Sequence, residues 1–427
     1  MIVAGEASGD RHGAALARAL RQVKPDIDYC FFGAGGEEMR GVGIETLVDA
    51  RDVGIIGVPE IARALKKLLR AYRTLLNAAR SRRPALVVLI DWPDFNMRLA
   101  RNLHRKGFKV VYYISPQVWA WRKYRVRALR RDVDRMLVIL PFEEQFYKNM
   151  GLDVSYVGHP LAESVHISSS REEFCARHQL DPLRPLIALL PGSRHKEIHY
   201  HLPPLLDAAN RLRRLRIVVE LPSQSRGPVG QSVASTMRAQ GPDLRPNSPL
   251  TESSPQFIVP LASTVRRDDV QKAIEEARLL SQQRDGDIEP PLSITIIEGD
   301  TYNAVGHSQF AIVASGTATL EAALLGTPMV IVYRGSEVNW RLIRPLIHLD
   351  TFGMVNLIAG HRIVPELMQR EVTGERIARE VTDILSDPAR LDRMQRDLRG
   401  VRDLLVTEEL SASVRAAREV LKVIGVS

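Results

Sequence analysis

Short, uniformly apolar runs alternate with stretches of helical periodicity along the whole chain. Met1–Ala4, Tyr29–Gly33, Ala85–Ile90, Val110–Ile114, Arg135–Leu140 and Val154–Val157 read as strands, with helices such as Gly13–Gln22 and Asn96–Lys106 between them. Strands that are apolar at every position, rather than at every second one, predict a parallel sheet covered by helices on both faces. The pattern restarts after about residue 180, with Leu186–Leu190, Phe257–Leu261, Ile294–Ile297, Phe310–Val313 and Met329–Tyr333. The expected fold is therefore α/β, with two doubly wound Rossmann-like domains over residues 1–165 and 180–372. Residues 373–427 read as helices that pack back on the N-terminal domain or exchange between subunits of a homodimer. Ligands of doubly wound sheets gather at the carboxyl ends of the strands, so a central cleft is the expected active site.

Two places break the pattern. The first strand begins at Met1, which is short for a central strand; either the chain starts upstream or this strand is weak. Residues 222–256 hold 16 Pro, Gly or Ser in 35 positions without periodicity, and read as a flexible insertion. Both flanks, Ile217–Leu221 and Phe257–Leu261, look like strands; the second is preferred for the sheet because a helix, Arg266–Leu280, follows it.

Composition adds location and partners. No apolar run approaches the roughly 18 residues that span a bilayer, and no secretory signal is visible at the N-terminus. The two cysteines, Cys30 and Cys175, lack metal-ligand spacing and fit a reducing compartment, with the cytoplasm as default. Of the net charge of +9, residues 1–160 carry 27 basic and 17 acidic side chains, whereas the remainder holds 32 and 33. Any anionic surface is therefore met by the N-terminal half.

That half also holds the clearest partner signal. In Ile61–Arg83 apolar positions that include Leu65, Leu68, Leu69 and Tyr72 recur at helical spacing, flanked by Lys66, Lys67, Arg70 and Arg73 without one acidic residue. Such a helix suits an anionic membrane surface, or is a crossover helix with a solvated basic face. A second basic cluster, Arg122–Arg135, strengthens the membrane reading. Nucleic acid is the weaker partner, because no nucleic-acid-reading module accompanies the charge.

Candidate chemistry sits where apolar strands end. In Ala314-Ser315-Gly316-Thr317-Ala-Thr-Leu-Glu321 a small-residue turn leads into a helix start, whose orphan amides and dipole favour an anion. Glu321 lies one helical turn further in, where a carboxylate can accept from a ribose. Pro191-Gly192-Ser193-Arg194 repeats the device after Leu186–Leu190, so a nucleoside diphosphate held by the C-terminal domain is the natural ligand, against two ordinary strand–helix turns. Gly5-Glu6-Ala-Ser8-Gly9-Asp10 follows the first strand. Its glycines allow close backbone approach to a ligand, and Ser8 or Asp10 can cap the next helix. Asp91 ends the very apolar strand Ala85–Ile90, where partial burial raises a carboxyl pKa towards that of a base; Asp94 reads as a helix cap. Trp119 and Trp121 wall an acyl or sugar pocket or pack in the interior. His159 is the second candidate base.

Taken in order, six segments resemble one family. They are Gly5–Asp10, Asp91–Asn96, Ile114-Ser-Pro-Gln-Val-Trp-Ala-Trp-Arg122, Leu189–Arg194, Ala314–Glu321 and Asn356-Leu-Ile-Ala-Gly360. The series resembles lipid-A-disaccharide synthases, inverting glycosyltransferases of the GT-B fold, over nearly the whole chain; residues 222–256 and the short first strand depart from it. The resemblance implies transfer of 2,3-diacylglucosamine from its UDP ester to the 6-hydroxyl of 2,3-diacylglucosamine 1-phosphate at the cytoplasmic face of the inner membrane. No metal or other cofactor is implied. Asp91 then matches the base, with Glu6 or His159 as substitutes; Gly192, Ser193, Arg194, Ser315, Gly316 and Thr317 face the UDP leaving group. Glu321 contacts ribose, Asn356 positions the donor phosphates or sugar, and Gly5, Glu6, Ser8, Gly9 and Asp10 line the acceptor side. The competing classes are another UDP-sugar protein of the same fold, such as a lipid-linked transferase or a 2-epimerase, and a non-catalytic basic scaffold.

Overall fold

The structure, a computed structural model, describes residues 1–50, 61–121, 123–215, 217–219, 251–262, 264–285, 292–337, 340, 341, 344, 351–406 and 410–426. The expected flexible insertion at 222–256 lies almost wholly outside these residues. The chain divides into two compact units. The first is Met1–Val165 with Trp340–Asp350 and Gly400–Ser427; the second is His166–Asn339 with Thr351–Arg399.

The first unit is a seven-stranded parallel sheet built from β1 (Ile2–Ala4), β2 (Phe32–Gly35), β3 (Glu45–Asp49), β4 (Val87–Ile90), β5 (Val110–Tyr113), β6 (Arg135–Val138) and β7 (Val154–Tyr156). Its order is β3-β2-β1-β4-β5-β6-β7, so the direction of winding reverses between β1 and β4. Alternate side chains of the strands feed two cores. Val3, Val87 and Leu89 join one with Leu75 and Ala79, while Ile2, Ala4, Val88 and Ile90 join the other with Leu16 and Leu20. Two buried faces are the reason the strands read as unbroken apolar runs. The second face is completed by the C-terminal helix Ala412–Val423, whose Ala416, Ala417, Val420 and Leu421 pack on the helix Ala7–Val23.

The second unit carries a six-stranded parallel sheet. Its strands are β8 (Leu186–Leu190), β11 (Gln256–Pro260), β12 (Ile294–Ile297), β13 (Phe310–Ala314), β14 (Met329–Tyr333) and β15 (Glu366–Met368), in the order β12-β11-β8-β13-β14-β15. β9 (Ile217–Val219) and β10 (Thr251–Ser253) pair antiparallel with each other, so of the two flanks of residues 222–256 only the second enters the main sheet. The helix Gly374–Leu385 belongs to this unit, so the segment 373–427 is divided between the two. Its buried face, Ile377, Val381 and Ile384, lies on the helix His195–Leu212, and a Cβ on Gly374 would sit 2.1 Å from Asp207 Oδ2. β3 and β15 have no counterpart in the sequence reading. Both are edge strands interrupted by charge, Glu45 and Asp49 at the ends of β3 and Glu366 at the start of β15, so neither is a continuous apolar run.

Eight helices matter below: α1 (Ala7–Val23), α2 (Glu37–Gly41), α3 (Ile61–Arg82), α4 (Pro93–His104), α5 (Pro141–Asn149), α6 (His195–Leu212), α7 (Ala318–Leu324) and α8 (Met354–Ala359). Among the described residues no helix is long and apolar enough to cross a membrane.

Candidate active site

Ala4 of β1 pairs with Ile90 of β4, so the chain leaves the sheet at Gly5-Glu6 and at Asp91-Trp92 side by side, at the point where the strand order reverses. That is where ligands of doubly wound sheets bind. Asp91 and Trp92 both have left-handed backbones (φ 47° and 50°), and so does Ile114 at the end of β5 (φ 63°). Such strain costs roughly 1–3 kcal/mol per residue, most for a β-branched side chain, and persists only where the surroundings impose it. Two buried side chains do so. Asn96 Nδ2 donates to the carbonyls of Ile90 (3.1 Å) and Asp91 (2.8 Å), and the Tyr112 hydroxyl donates to Asp91 O at 2.6 Å. Asp91 N donates in turn to Tyr113 O at 3.1 Å.

The Asp91 carboxyl is pushed up to about 6, first by burial and second by the negative charge of Glu6. A backbone hydrogen bond from Trp92 opposes the rise. A carboxylate in that range is ionised at neutral pH yet basic enough to take a proton from a hydroxyl. Glu6 itself is exposed, beside Asp91 at the start of α1. His159, the other candidate base, is buried, its Nδ1 accepts from Leu161 N (3.2 Å), and burial lowers it to about 4. His12, not anticipated from the sequence, is lowered to about 4 in the same corner, by burial and then by Arg11.

Several expected roles around Asp91 change once packing is visible. Gly5 makes room for Trp92: a Cβ there would fall 2.1 Å from the indole, which stacks on Phe95 with ring centroids 3.8 Å apart. Gly9 lets α1 approach β1, its position lying 3.1 Å from the Ala4 methyl. Asp10 does not cap α1; it is buried and accepts from the amides of Gly36, Glu38 and Met39, holding the start of α2. In that loop Glu6 and Ala7 are exposed and Ser8 is half-buried, so Glu6 and Ser8 are its accessible polar side chains near the strand ends. Asp94 does not cap α4 but pairs with Arg125 at 2.6 Å. Trp119 is buried, donating Nε1 to Glu143 (3.0 Å) and meeting Phe142 edge to face, so it is a core residue; the side chain of Trp121 lies outside the described residues. Glu143, invisible in the sequence reading, is buried on α5 and also accepts from Ser115 Oγ (2.5 Å); burial pushes it up to about 7.

In the second unit the two expected anion turns differ. At the end of β8, Gly192 has a left-handed backbone (φ 119°) and the following amides point into one spot, but Glu197 fills it. Its Oε2 accepts from Ser193 N (2.8 Å) and Arg194 N (3.3 Å), and its Oε1 from Arg194 Nη1 at 2.7 Å. These amides are therefore not bare but engaged by the Glu197 carboxylate. At the end of β13, Gly316 and Thr317 are exposed and Ser315 half-buried, and Glu321 lies one turn into α7. Thr319 Oγ1 ties back to Gly316 O at 2.8 Å, shaping the turn.

Asn356 is engaged inside the protein. It is fully buried on α8, Nδ2 donates to Val364 O (2.9 Å) and Glu366 Oε1 (2.7 Å), and Oδ1 accepts from Ile363 N and Val364 N (2.8 and 3.0 Å). All its hydrogen-bonding capacity is spent on the protein, where it shapes the loop before β15.

The basic helix α3 is also reassigned in part. Leu68 and Tyr72 pack on the core beside Leu75, and the Tyr72 hydroxyl donates to Arg98 O, so the apolar stripe is that of a crossover helix. Lys66, Lys67, Arg70 and Arg73 are exposed, and Leu69 is the apolar residue left among them; the Leu65 side chain lies outside the described residues. In the second basic cluster Arg125, Arg131 and Arg135 pair with Asp94, Asp132 and Asp153. Among the described residues no group of three or more His, Cys, Asp or Glu is placed to hold a metal ion.

A family described as Lipid-A-disaccharide synthetase matches residues 1–226 and 261–420, its break falling on the Pro/Gly/Ser-rich segment. A protein of Koribacter versatilis named lipid-A-disaccharide synthase is 40% identical over 425 residues, covering 99% of this chain and 98% of that one. One of the same name from Geobacter sulfurreducens is 40% identical over 425 residues, covering 100% and 97%. Among solved structures, the UDP-GlcNAc 2-epimerase of Neisseria meningitidis bound to UDP-GlcNAc aligns with a TM-score of 0.56 at 13% identity, covering 99% of both chains. MurG of Acinetobacter baumannii aligns at 0.53 and 14% identity, covering 99% and 98%. At such identity these two speak for the fold, that of GT-B glycosyltransferases. The chain belongs to the lipid-A-disaccharide synthetase family and is a glycosyltransferase of lipid A biosynthesis.

Proposed function

We propose that this enzyme moves 2,3-diacylglucosamine from UDP-2,3-diacylglucosamine to the 6-hydroxyl of 2,3-diacylglucosamine 1-phosphate, with inversion, releasing UDP and the β-1,6 disaccharide 1-phosphate. The observation that carries the reading is Asp91, raised to about 6 and held in a strained backbone where the strand order reverses. Asp91 takes the hydroxyl proton as the acceptor oxygen bonds to the anomeric carbon. The bond from that carbon to the UDP oxygen breaks, and the electron pair leaves with UDP. A single displacement of this kind needs one base and inverts the centre.

The second unit supplies the leaving-group side. Charge growing on the diphosphate is met by Arg194 and by the Ser315–Thr317 turn, and Glu321 accepts from the ribose. A diphosphate at Ser193 and Arg194 takes the place that the Glu197 carboxylate holds, because both are anions for the same amides. The exposed cations Lys66, Lys67, Arg70 and Arg73, with Leu69 between them, support docking on an anionic membrane face. Glu6 and Ser8 would border the acceptor. A homodimer would follow if the C-terminal helices exchange between chains.

Turnover of the two lipid substrates in detergent micelles, with and without EDTA, tests the proposal. Equal disaccharide in both establishes transfer and its independence of metal. UDP binding without product sends the search back to the acceptor, and no UDP binding overturns the nucleotide reading.

A further inference from the structure

His201 lies in the middle of α6 and is 2% exposed, in a stretch that no expected motif includes. Its ring joins two strand ends. Nδ1 is 2.9 Å from Pro191 O, at the end of β8, and Nε2 accepts from Arg334 N at 2.8 Å, just past β14. A carbonyl can only accept and an amide N–H can only donate. The two partners therefore fix one neutral tautomer, with the proton on Nδ1.

β8 and β14 are not neighbours, since β13 runs between them. Strands two apart in a sheet are separated by about 9.6 Å, and the imidazole with its two hydrogen bonds bridges that gap. The loop with Ser193 and Arg194, the turn at the end of β13, which Ser315 N joins to Val332 O at 2.8 Å, and the Arg334 loop thus form one tied corner. The charged groups facing the ring are Glu197 on its own helix and Arg334 from the β14 end, and the Tyr333 ring lies 6.4 Å away. Burial lowers the tendency of His201 to take up a proton, Arg334 acts in the same direction, and the Pro191 carbonyl and Glu197 oppose it.

We propose that His201 is a positioning residue for the nucleotide: it clamps the β8 and β14 ends in the arrangement that binds the UDP diphosphate, and it releases them on protonation. The inference rests on the nucleotide reading of this unit. A second proton on Nε2 faces the Arg334 N–H, donor against donor, so that bond breaks and Arg334 loses its fixed place. The acid sensitivity has a distinctive sign. Added positive charge would ordinarily favour an anion, whereas protonation of His201 weakens its binding.

Calorimetric titration with UDP at pH 7.5 compares wild type with His201→Leu, His201→Asn and His201→Gln. Asparagine can keep the bond to Pro191 and glutamine the bond to Arg334, while leucine keeps neither. The expected result is affinity at least about tenfold weaker for leucine, the scale of one buried polar group left without a partner, with the amide variants between it and wild type. Binding of UDP-GlcNAc, whose diphosphate does not titrate in this range, is followed from pH 7.5 to 5. Wild type should weaken as the pH falls, and the amide variants should respond less. Variants that bind like wild type, with only a lower melting temperature, overturn the clamp. Should the variants fail to fold, the wild-type series decides, because affinity that stays level or rises down to pH 5 overturns the proposal. Wild type that binds neither nucleotide at any pH overturns instead the nucleotide reading on which it rests.

Discussion

Asp91→Asn should remove turnover and at the same time stabilise the protein, and the pH dependence of that stabilisation is the sharper test. The Asp91 carboxyl stands at about 6 in the folded protein, against 3.8 for the ordinary side chain. Its ionised form is thus disfavoured by folding. A raised carboxyl binds its proton more tightly in the native state, so wild-type stability falls as pH rises from about 4 to 6. Two pKa units correspond to about 3 kcal/mol. Asp91 keeps partial access to water, so the expected figure is smaller, on the order of 2 kcal/mol. Asparagine cannot ionise, and it tolerates the left-handed backbone. Urea unfolding of wild type and Asp91→Asn at pH 4, 6 and 8 should therefore show little difference at pH 4 and a more stable variant at pH 8. UDP affinity should stay nearly intact while turnover is lost. The wild-type rate should fall about tenfold per unit below pH 6, where the base is protonated. Equal stabilities at pH 8, or turnover comparable to wild type, would show that Asp91 is not a destabilised base and would move attention to Glu6 or His159.

Other substitutions separate structural from chemical roles. Asn356→Ala leaves two amides, a carbonyl and Glu366 short of partners in the interior, and should cost about 3 kcal/mol in urea unfolding; UDP affinity lost in full without that cost would return Asn356 to the ligand. Gly5→Ala must displace the Trp92 indole, so tryptophan fluorescence should shift along with a fall in kcat; a variant with both unchanged would refute the packing role of Gly5. Glu197→Gln removes the carboxylate that competes for the Ser193 and Arg194 amides, and should leave UDP affinity equal or tighter by calorimetry, whereas Arg194→Ala should weaken it. Replacing Lys66, Lys67, Arg70 and Arg73 with Gln should reduce sedimentation with anionic vesicles while leaving neutral vesicles unaffected; equal binding to both would remove α3 from the membrane.

Much of this was legible in the chain itself. Short apolar runs bounded by turn residues and alternating with helical stretches read as strands buried on both faces, and that pattern yields two parallel sheets and places Asp91, Pro191–Arg194 and Ser315–Thr317 where strands end. β3 and β15 were missed because charge breaks their apolar runs: Glu45 and Asp49 end β3, and the buried Glu366 opens the three-residue β15. Sequence could not say which polar groups of those motifs are spent inside the protein. Asn356 looks like a ligand until Glu366 and the backbone of 363–364 are found to use it, and Leu68 and Tyr72 look like a membrane face until the core of the first unit covers them. The tertiary structure alone decided that Glu6 lies beside Asp91, that Glu197 occupies the amides a phosphate would take, and that His201 ties Pro191 to Arg334. The physical reason is separation along the chain. Periodicity reports burial within one element, whereas a pKa or a hydrogen bond is set by whichever group the strand order brings alongside, here 133 residues away in the case of His201 and Arg334.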